Sequence, residues 1–246
     1  VTLAREYDRW HGRLFGANPA HADESSPWYN LVTEYLIPLE GKKVLEIACG
    51  RGGFTALLTA RGAEVVGSDF SHTALRIASN KGAAFPSLES QPTLAQADAH
   101  HLPYASNCFD VVISCETIEH LLDPAQGLRE MGRVARPGAL LYLTTPNYLN
   151  ATGLYSLYAS IRHPARSSGT DQPLDNHYFF FQVKQFLRLA GWRILRTDGT
   201  VHQFPLLPGH DPVRFEFLES TRFLRRGLRA FALHYLVIAR KPDASE

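Results

Sequence analysis

Cysteine and methionine are scarce in this 246-residue chain, which holds three of the first and one of the second. Cys49, Cys108 and Cys115 lie in or beside apparent strands and lack metal-ligand spacing. That excludes a disulfide framework and a zinc module, predicts buried reduced thiols, and leaves no metal to be expected. Charge of one sign is missing too: 25 Lys and Arg face 24 Asp and Glu, a formal net charge of +1. No global field then draws the protein to nucleic acid, so a charged partner has to be recognised locally. No apolar run approaches the ~20 residues that span a bilayer, and no basic-then-apolar leader opens the chain. A cytoplasmic location is the default expectation. Repeats and low-complexity tracts are absent from the sequence. With 45% apolar residues, the composition suits one globular α/β domain over residues 1–246.

What is present is a strand that feeds a glycine turn. In Val44-Leu45-Glu46-Ile47-Ala48-Cys49-Gly50-Arg51-Gly52-Gly53, the glycines let main chain turn sharply and approach a ligand. Phe54 to Arg61 reads as a helix stopped by Gly62, so its first N–H groups face whatever lies over the turn. A second apolar strand ends in Asp69, a carboxylate 19 residues beyond Gly50, where α/β nucleotide folds hold a ribose. A dinucleotide fingerprint requires a third glycine where Thr55 stands, which argues against a nicotinamide oxidoreductase.

Strand and helix alternate from Lys43 to Thr145, the pattern of a parallel sheet with helices on both faces. Strands are predicted at 43–48, 64–68, 93–97, 109–115, 139–145, 192–197 and 232–240. Helices are predicted at 53–61, 71–81, 124–135 and 182–190, the third opened by an Asp123 cap and Pro124. Residues 1–40 are rich in aromatics and histidine, and read as helices over the sheet edge or the ligand. The 147–181 connection is too long for a plain loop and reads as a lid, with Leu149 to Ile161 at helical spacing.

The run Glu-Ile-Ala-Cys-Gly-Arg-Gly resembles the first motif of class I S-adenosylmethionine-dependent methyltransferases, usually Asp/Glu-x-Gly-x-Gly-x-Gly, with Ala48 here at the first glycine. Ala97-Asp98-Ala99, Leu102-Pro103-Tyr104 and Phe109-Asp110-Val111-Val112 are similar to that family's adenine-side pattern. Glu116-Thr117-Ile118-Glu119-His120-Leu121-Leu122-Asp123-Pro124 resembles the segment after its fourth strand, in the branch containing ubiquinone-biosynthesis O-methyltransferases. Arg136-Pro137-Gly138, Thr145-Pro146-Asn147 and His177-Tyr178-Phe179-Phe180 continue the likeness. The resemblance implies a Rossmann-like, seven-stranded, mostly parallel sheet with its last strand antiparallel. It also implies S-adenosyl-L-methionine as cofactor and methyl transfer to a small-molecule acceptor, foremost at a hydroxyl oxygen. The alternatives are N-methylation of a small amine, or a non-catalytic S-adenosylmethionine-binding module that acts through a protein partner.

On that resemblance Gly50 and Gly52 bring main chain to the amino-acid end of the cofactor. Ala48 belongs to the same turn, and Glu46 fixes the loop or meets the ammonium through water. Asp69 accepts from the ribose hydroxyls, with helix capping as its other reading. Asp98 accepts from the adenine amino group beside the Ala99 N–H, or is a plain turn aspartate. Phe70 covers adenine or is a core residue, and Cys115 offers main chain without thiol chemistry. His120 is the acid-base candidate, with Glu116 four residues earlier to hold its tautomer across a helical turn. A structural histidine is the rival reading. Glu116 and Glu119 as ligands of a divalent ion compete with a solvated turn. Tyr7, His11, Tyr155, His177 and Tyr178 are the candidate acceptor contacts.

Between Arg214 and Ala230, Phe217, Thr221, Leu224 and Leu228 fall on one helical face beside Arg222, Arg225, Arg226 and Arg229. Such a basic amphipathic helix either rests on an anionic membrane or covers the sheet. The packed helix is the favoured expectation.

Overall fold

The computed structural model describes residues 3–15, 26–82, 91–148, 172–204 and 213–243. Nine strands occur among them: β1 (Lys43–Ile47), β2 (Glu64–Asp69), β3 (Thr93–Gln96), β4 (Phe109–Cys115), β5 (Ala135–Pro146), β6 (Arg193–Thr200), β7 (Gln203–Phe204), β8 (Val213–Arg214) and β9 (His234–Arg240). Seven form one sheet in the order β3-β2-β1-β4-β5-β9-β6, and β7 pairs with β8 separately. β9 runs antiparallel to both β5 and β6, whereas β1 to β5 pair in parallel. This is the expected Rossmann-like sheet. Its strand order reverses between β1 and β4, which opens a crevice beyond their carboxyl ends.

Two apolar layers hold the sheet, and strand periodicity sorts residues between them. On one side Leu45, Ile47 and Val112 meet Leu128 and Met131 of α5 (Pro124–Val134) and Val183 and Leu187 of α6 (Phe180–Leu189). On the other, Val44, Val111 and Ile113 meet Phe54 and Leu58 of α3 (Gly53–Ala60), with Leu31 and Val32 of α2 (Pro27–Thr33). β1 and β4 are therefore buried on both faces, which is why they read as nearly unbroken apolar runs. Asp123 caps α5 by accepting from the Gln126 N–H at 2.9 Å, as its position before proline predicts.

α1 (Leu3–Phe15) lies against α4 (His72–Gly82). Asp8 Oδ1 accepts from the Ser71 hydroxyl at 2.7 Å and the Thr73 N–H at 2.9 Å, which fixes α1 at the carboxyl end of β2. The expected helical run from 149 to 161, and with it most of the expected lid, lies outside the described residues.

The C-terminal helix departs from expectation. Residues 214–230 form two short helices, α7 (Glu216–Ser220) and α8 (Arg222–Leu228), broken where Thr221 takes extended backbone. Nor is the apolar side uniformly inward: Leu218 is buried, but Leu224 and Leu228 are each more than a third exposed. Arg225 is turned inward, 4% exposed, whereas Phe223 is 85% exposed and Phe217 60%. Arg225 donates both terminal nitrogens to Glu34, at 2.9 and 2.7 Å, and one to buried Asp198 at 3.1 Å. An interior arginine persists only when paired in this manner, and these carboxylates raise its pKa further.

Candidate active site

The carboxyl ends of β1, β2 and β4 open onto a cleft of about 270 Å³, far more than the ~30 Å³ share of one water. Its floor is the glycine turn. Ala48 and Gly50 both take left-handed backbone, with φ of 53° each, and Gly52 caps α3 at φ 74°. For Ala48 this conformation costs ~1 kcal/mol, so the methyl in the turn is accommodated by strain. A side chain at Gly50 would meet no atom of the described residues within 4 Å, so among them space lies open above the turn. Asp69 closes β2 and ties the turn down: Oδ2 accepts from the Gly50 N–H at 2.8 Å and Oδ1 from the Ser71 N–H at 2.7 Å. Ser71 itself caps α4 by accepting from the Ala74 N–H at 3.1 Å, so Asp69 is not that cap. Burial pushes the Asp69 carboxyl up, against the pull of those N–H groups and of His11.

Beside Asp69 the wall is formed by Phe70, Ala97, Asp98 and Ala99. Asp98 Oδ1 accepts from the His100 N–H at 2.9 Å and meets His100 Nδ1 at 2.7 Å, so Asp98 is a turn aspartate that also lines the cleft. α1 supplies the roof through Tyr7, Trp10, His11 and Phe15. His11 lies within electrostatic reach of Asp69 and Arg51, on the carboxylate side of the cleft, and burial lowers its pKa.

The far wall carries His120 and Glu116. His120 Nδ1 lies 2.6 Å from the Leu174 carbonyl, which fixes the proton on Nδ1 and leaves Nε2 with its lone pair. Burial lowers its pKa, so the ring stays neutral at neutral pH. Tyr7 donates its hydroxyl to the same carbonyl at 3.2 Å. Burial keeps that phenol protonated far above its ordinary range.

The expected Glu116–His120 pair does not form. Residue 116 takes left-handed backbone, φ 49°, and only Ile118–His120 make a 3-10 turn, so no helical turn links the two side chains. Glu116 Oε2 instead accepts from His234 Nδ1 at 2.8 Å, and its Oε1 is buried without a hydrogen-bond partner among the described residues. Trp28, another wall residue, lies over the His234 ring at 4.8 Å. The carboxylate nearest His120 Nε2 is Glu119 Oε1 at 3.7 Å.

Of the residues expected in the site, Ala48, Gly50, Asp69, Phe70, Asp98, Ala99, Cys115, Glu116, His120, Tyr7 and His11 line one cleft. Glu46 stands behind the turn, where its Oε2 accepts from the Thr55 hydroxyl at 2.5 Å, in keeping with a loop-fixing role. Gly52 also lies behind it, with added bulk directed at Ala78. Tyr178 turns toward Phe186 of α6, and His177 toward Tyr148, so neither is a lining residue of the cleft. Tyr155 is outside the described residues. Trp10, Trp28, Arg51 and Gln172 are lining residues that motif reasoning missed. Aromatic density before residue 40 was the available signal for the tryptophans.

A protein-family model described as a methyltransferase domain matches residues 45–143, the stretch that builds the turn, Asp69, the Asp98 wall and His120. Over that stretch the chain is similar to S-adenosylmethionine-dependent methyltransferases. It is 32% identical over 142 residues to a demethylmenaquinone methyltransferase of Clavibacter sepedonicus, covering 56% of each chain. It is 34% identical over 124 residues to a ubiquinone biosynthesis O-methyltransferase of Rhizobium rhizogenes, covering 50% of this chain and 48% of the relative. The chain thus spans about half the length of these curated relatives. In fold it is similar to an S-adenosylmethionine-dependent methyltransferase from Mesorhizobium loti, with TM-score 0.63, 18% identity, 88% of this chain and 99% of that one covered. The cyclase SpnF is as similar, with TM-score 0.66, 20% identity, and 98% and 96% covered. At such identity the likeness concerns fold alone.

The residues of the cleft fit S-adenosylmethionine, the cofactor of the methyltransferases the chain resembles. Space lies open above Gly50 among the described residues, a buried carboxylate stands at the end of β2, and an apolar wall flanks Asp98. Among the described residues no cluster of three His, Cys, Asp or Glu suits a metal, and no helix is long and apolar enough to cross a membrane.

Glu119, 1% exposed, has its carboxyl pushed up by burial and by the charge of Glu116. A raised folded pKa gives stability that is full below the unfolded value near 4.3 and is lost as pH rises through the folded value. Glu119→Gln keeps an acceptor for the Thr145 hydroxyl, 3.0 Å away, and removes that loss. Its stability relative to wild type should therefore climb with pH, by up to about 1.4 kcal/mol per unit. Thermal melts across pH check this, and a constant difference between the two proteins would refute it.

Proposed function

We propose that the protein transfers a methyl group from S-adenosylmethionine to a hydroxyl oxygen of a small, largely apolar acceptor. The observation that carries the reading is His120, a neutral imidazole of the cleft wall whose Nδ1 is committed to Leu174 and whose Nε2 is left as a base. The sulfonium of the cofactor supplies an electrophilic methyl without protein help, so alignment is the larger part of catalysis. Asp69 and the turn hold the ribose and amino-acid ends, Phe70 and Ala99 flank the adenine, and Asp98 accepts from its amino group. On transfer the acceptor oxygen would bond to the methyl carbon as the methyl–sulfur bond breaks and S-adenosylhomocysteine leaves, and His120 Nε2 would take the hydroxyl proton. A phenol with pKa near 10 needs that assistance at neutral pH.

Glu116, set by His234, offers its remaining oxygen to a donor on the acceptor. The same carboxylate suits a protonated amine, which keeps N-methylation as the second reading. The name of the Rhizobium relative supports oxygen. The test is S-adenosylhomocysteine formation with panels of phenols, alcohols and amines. Turnover with hydroxyl acceptors is expected. Methylated amines alone would move the reading to nitrogen, and tight S-adenosylhomocysteine binding without turnover would favour a binding module.

A further inference from the structure

Resting on the S-adenosylmethionine reading of the cleft, we propose that His100 is a positioning residue. It sets Asp98 toward the adenine amino group and so makes the cleft select adenine over hypoxanthine. His100 stands on the same wall as Asp98 and engages it twice: Oδ1 accepts from the main-chain N–H of residue 100 at 2.9 Å and from its ring Nδ1 at 2.7 Å. Oδ2 has no hydrogen-bond partner among the described residues, and the Asp98 side chain is 42% exposed on the cleft. The N–H alone would make an ordinary aspartate turn, in which the carboxylate still pivots about its bonded oxygen. A second donor, arriving from the ring, restricts that pivot and leaves Oδ2 as the acceptor offered to a ligand.

The ring is held from behind, and this decides where its proton sits. His100 Nε2 accepts from the Asp123 N–H at 3.2 Å, so Nε2 carries the lone pair and Nδ1 the proton that it donates to Asp98. Gln126 Nε2 donates to the His100 carbonyl at 3.3 Å, while the Gln126 N–H caps onto Asp123. The start of α5 thus clamps residue 100 by ring and main chain together, with the ring side chain only 16% exposed. A histidine that merely tied the wall to α5 would need the bond to Asp123 alone. The second bond is to a carboxylate that the turn N–H already holds, and its effect is on the aim of Oδ2.

An acceptor fixed at this point reads hydrogen-bond polarity. The adenine amino group donates, whereas hypoxanthine presents a carbonyl oxygen at the same ring position, and two acceptors face to face repel. Discrimination is large where a site is built to meet one polarity, because the wrong ligand leaves its polar group unpaired. The side chains flanking Asp98, Phe70, Ala97 and Ala99, are apolar and offer the base contact without that distinction.

Calorimetric binding of S-adenosylhomocysteine and S-inosylhomocysteine to the full chain tests the proposal. Wild type should prefer the adenosyl compound by about 100-fold. His100→Ala should cut that preference by about 10-fold, through weaker binding of the adenosyl compound while the inosyl affinity is kept. Damage to the fold would weaken both ligands alike. His100→Asn, whose amide nitrogen stands where Nδ1 does, should restore most of the preference. Because His100 acts through Asp98, adding His100→Ala to Asp98→Ala should change the preference no further. Four results would each overturn the proposal: no preference in wild type, an unchanged preference in His100→Ala, an equal loss on both ligands, or a further loss in the double variant. Failure of wild type to bind S-adenosylhomocysteine at all would overturn the S-adenosylmethionine reading itself.

Discussion

Asp69→Ala is expected to weaken S-adenosylhomocysteine binding about 100-fold in calorimetry, through loss of two charge-assisted hydrogen bonds of about 1.5 kcal/mol each. The substitution also removes the acceptors of the Gly50 and Ser71 N–H groups, so a lower melting temperature should accompany it. Affinity could then fall through the turn rather than the ribose, and a second ligand separates the causes. Wild type should discriminate strongly against an analogue lacking both ribose hydroxyls, while the variant should bind the two ligands alike. Equal discrimination by both proteins would remove Asp69 from the ribose and leave it a purely structural role.

His120→Ala should lower turnover by roughly 100-fold or more on a neutral hydroxyl acceptor, with S-adenosylhomocysteine affinity nearly kept. Burial holds the His120 pKa below its ordinary value of about 6.5. Protonation inactivates a base, so the acid limb of the wild-type rate should fall below that pH and disappear in the variant. The deficit should shrink for an acceptor already ionised at assay pH, because no proton remains to be taken. An equal deficit on ionised and neutral acceptors would show that the ring positions substrate. Turnover near wild type would move the search for the base to Glu116, whose carboxylate stands on the same wall.

The parts of this molecule that read correctly in the sequence are those fixed by neighbours along the chain. β1, the glycine turn, α3 and Asp69 follow from apolar runs, residues without Cβ and a carboxylate at a strand end. The cap at Asp123 is equally local. What stayed hidden depends on partners far away in sequence. Glu116 looked like the companion of His120 because four residues separate them, but left-handed backbone at 116 turns its carboxylate to His234, on β9. The proton-fixing partner of His120 is the main-chain oxygen of Leu174, and a carbonyl has no sequence signature. The 214–230 pattern was amphipathic as read, yet hydropathy alone assigns the apolar side to the core. Only the partners of Arg225, Glu34 and the buried Asp198, set the orientation of the helix.

Residues 43–120 supply the turn, the Asp69 carboxylate, the Asp98 wall and His120 from one stretch of sequence. The remaining walls are borrowed from distant parts of the chain: Tyr7, Trp10 and His11 from α1, Trp28 from α2, the Leu174 carbonyl behind His120, and His234 behind Glu116. Such a division lets the two halves of the cleft diverge at different speeds. Sequence drift in the outlying segments can retailor what enters opposite the cofactor without disturbing the stretch that grips it. Grafting α1, α2 and the 172–176 segment from one relative to another therefore becomes a route to exchanging acceptors on an inherited cofactor platform.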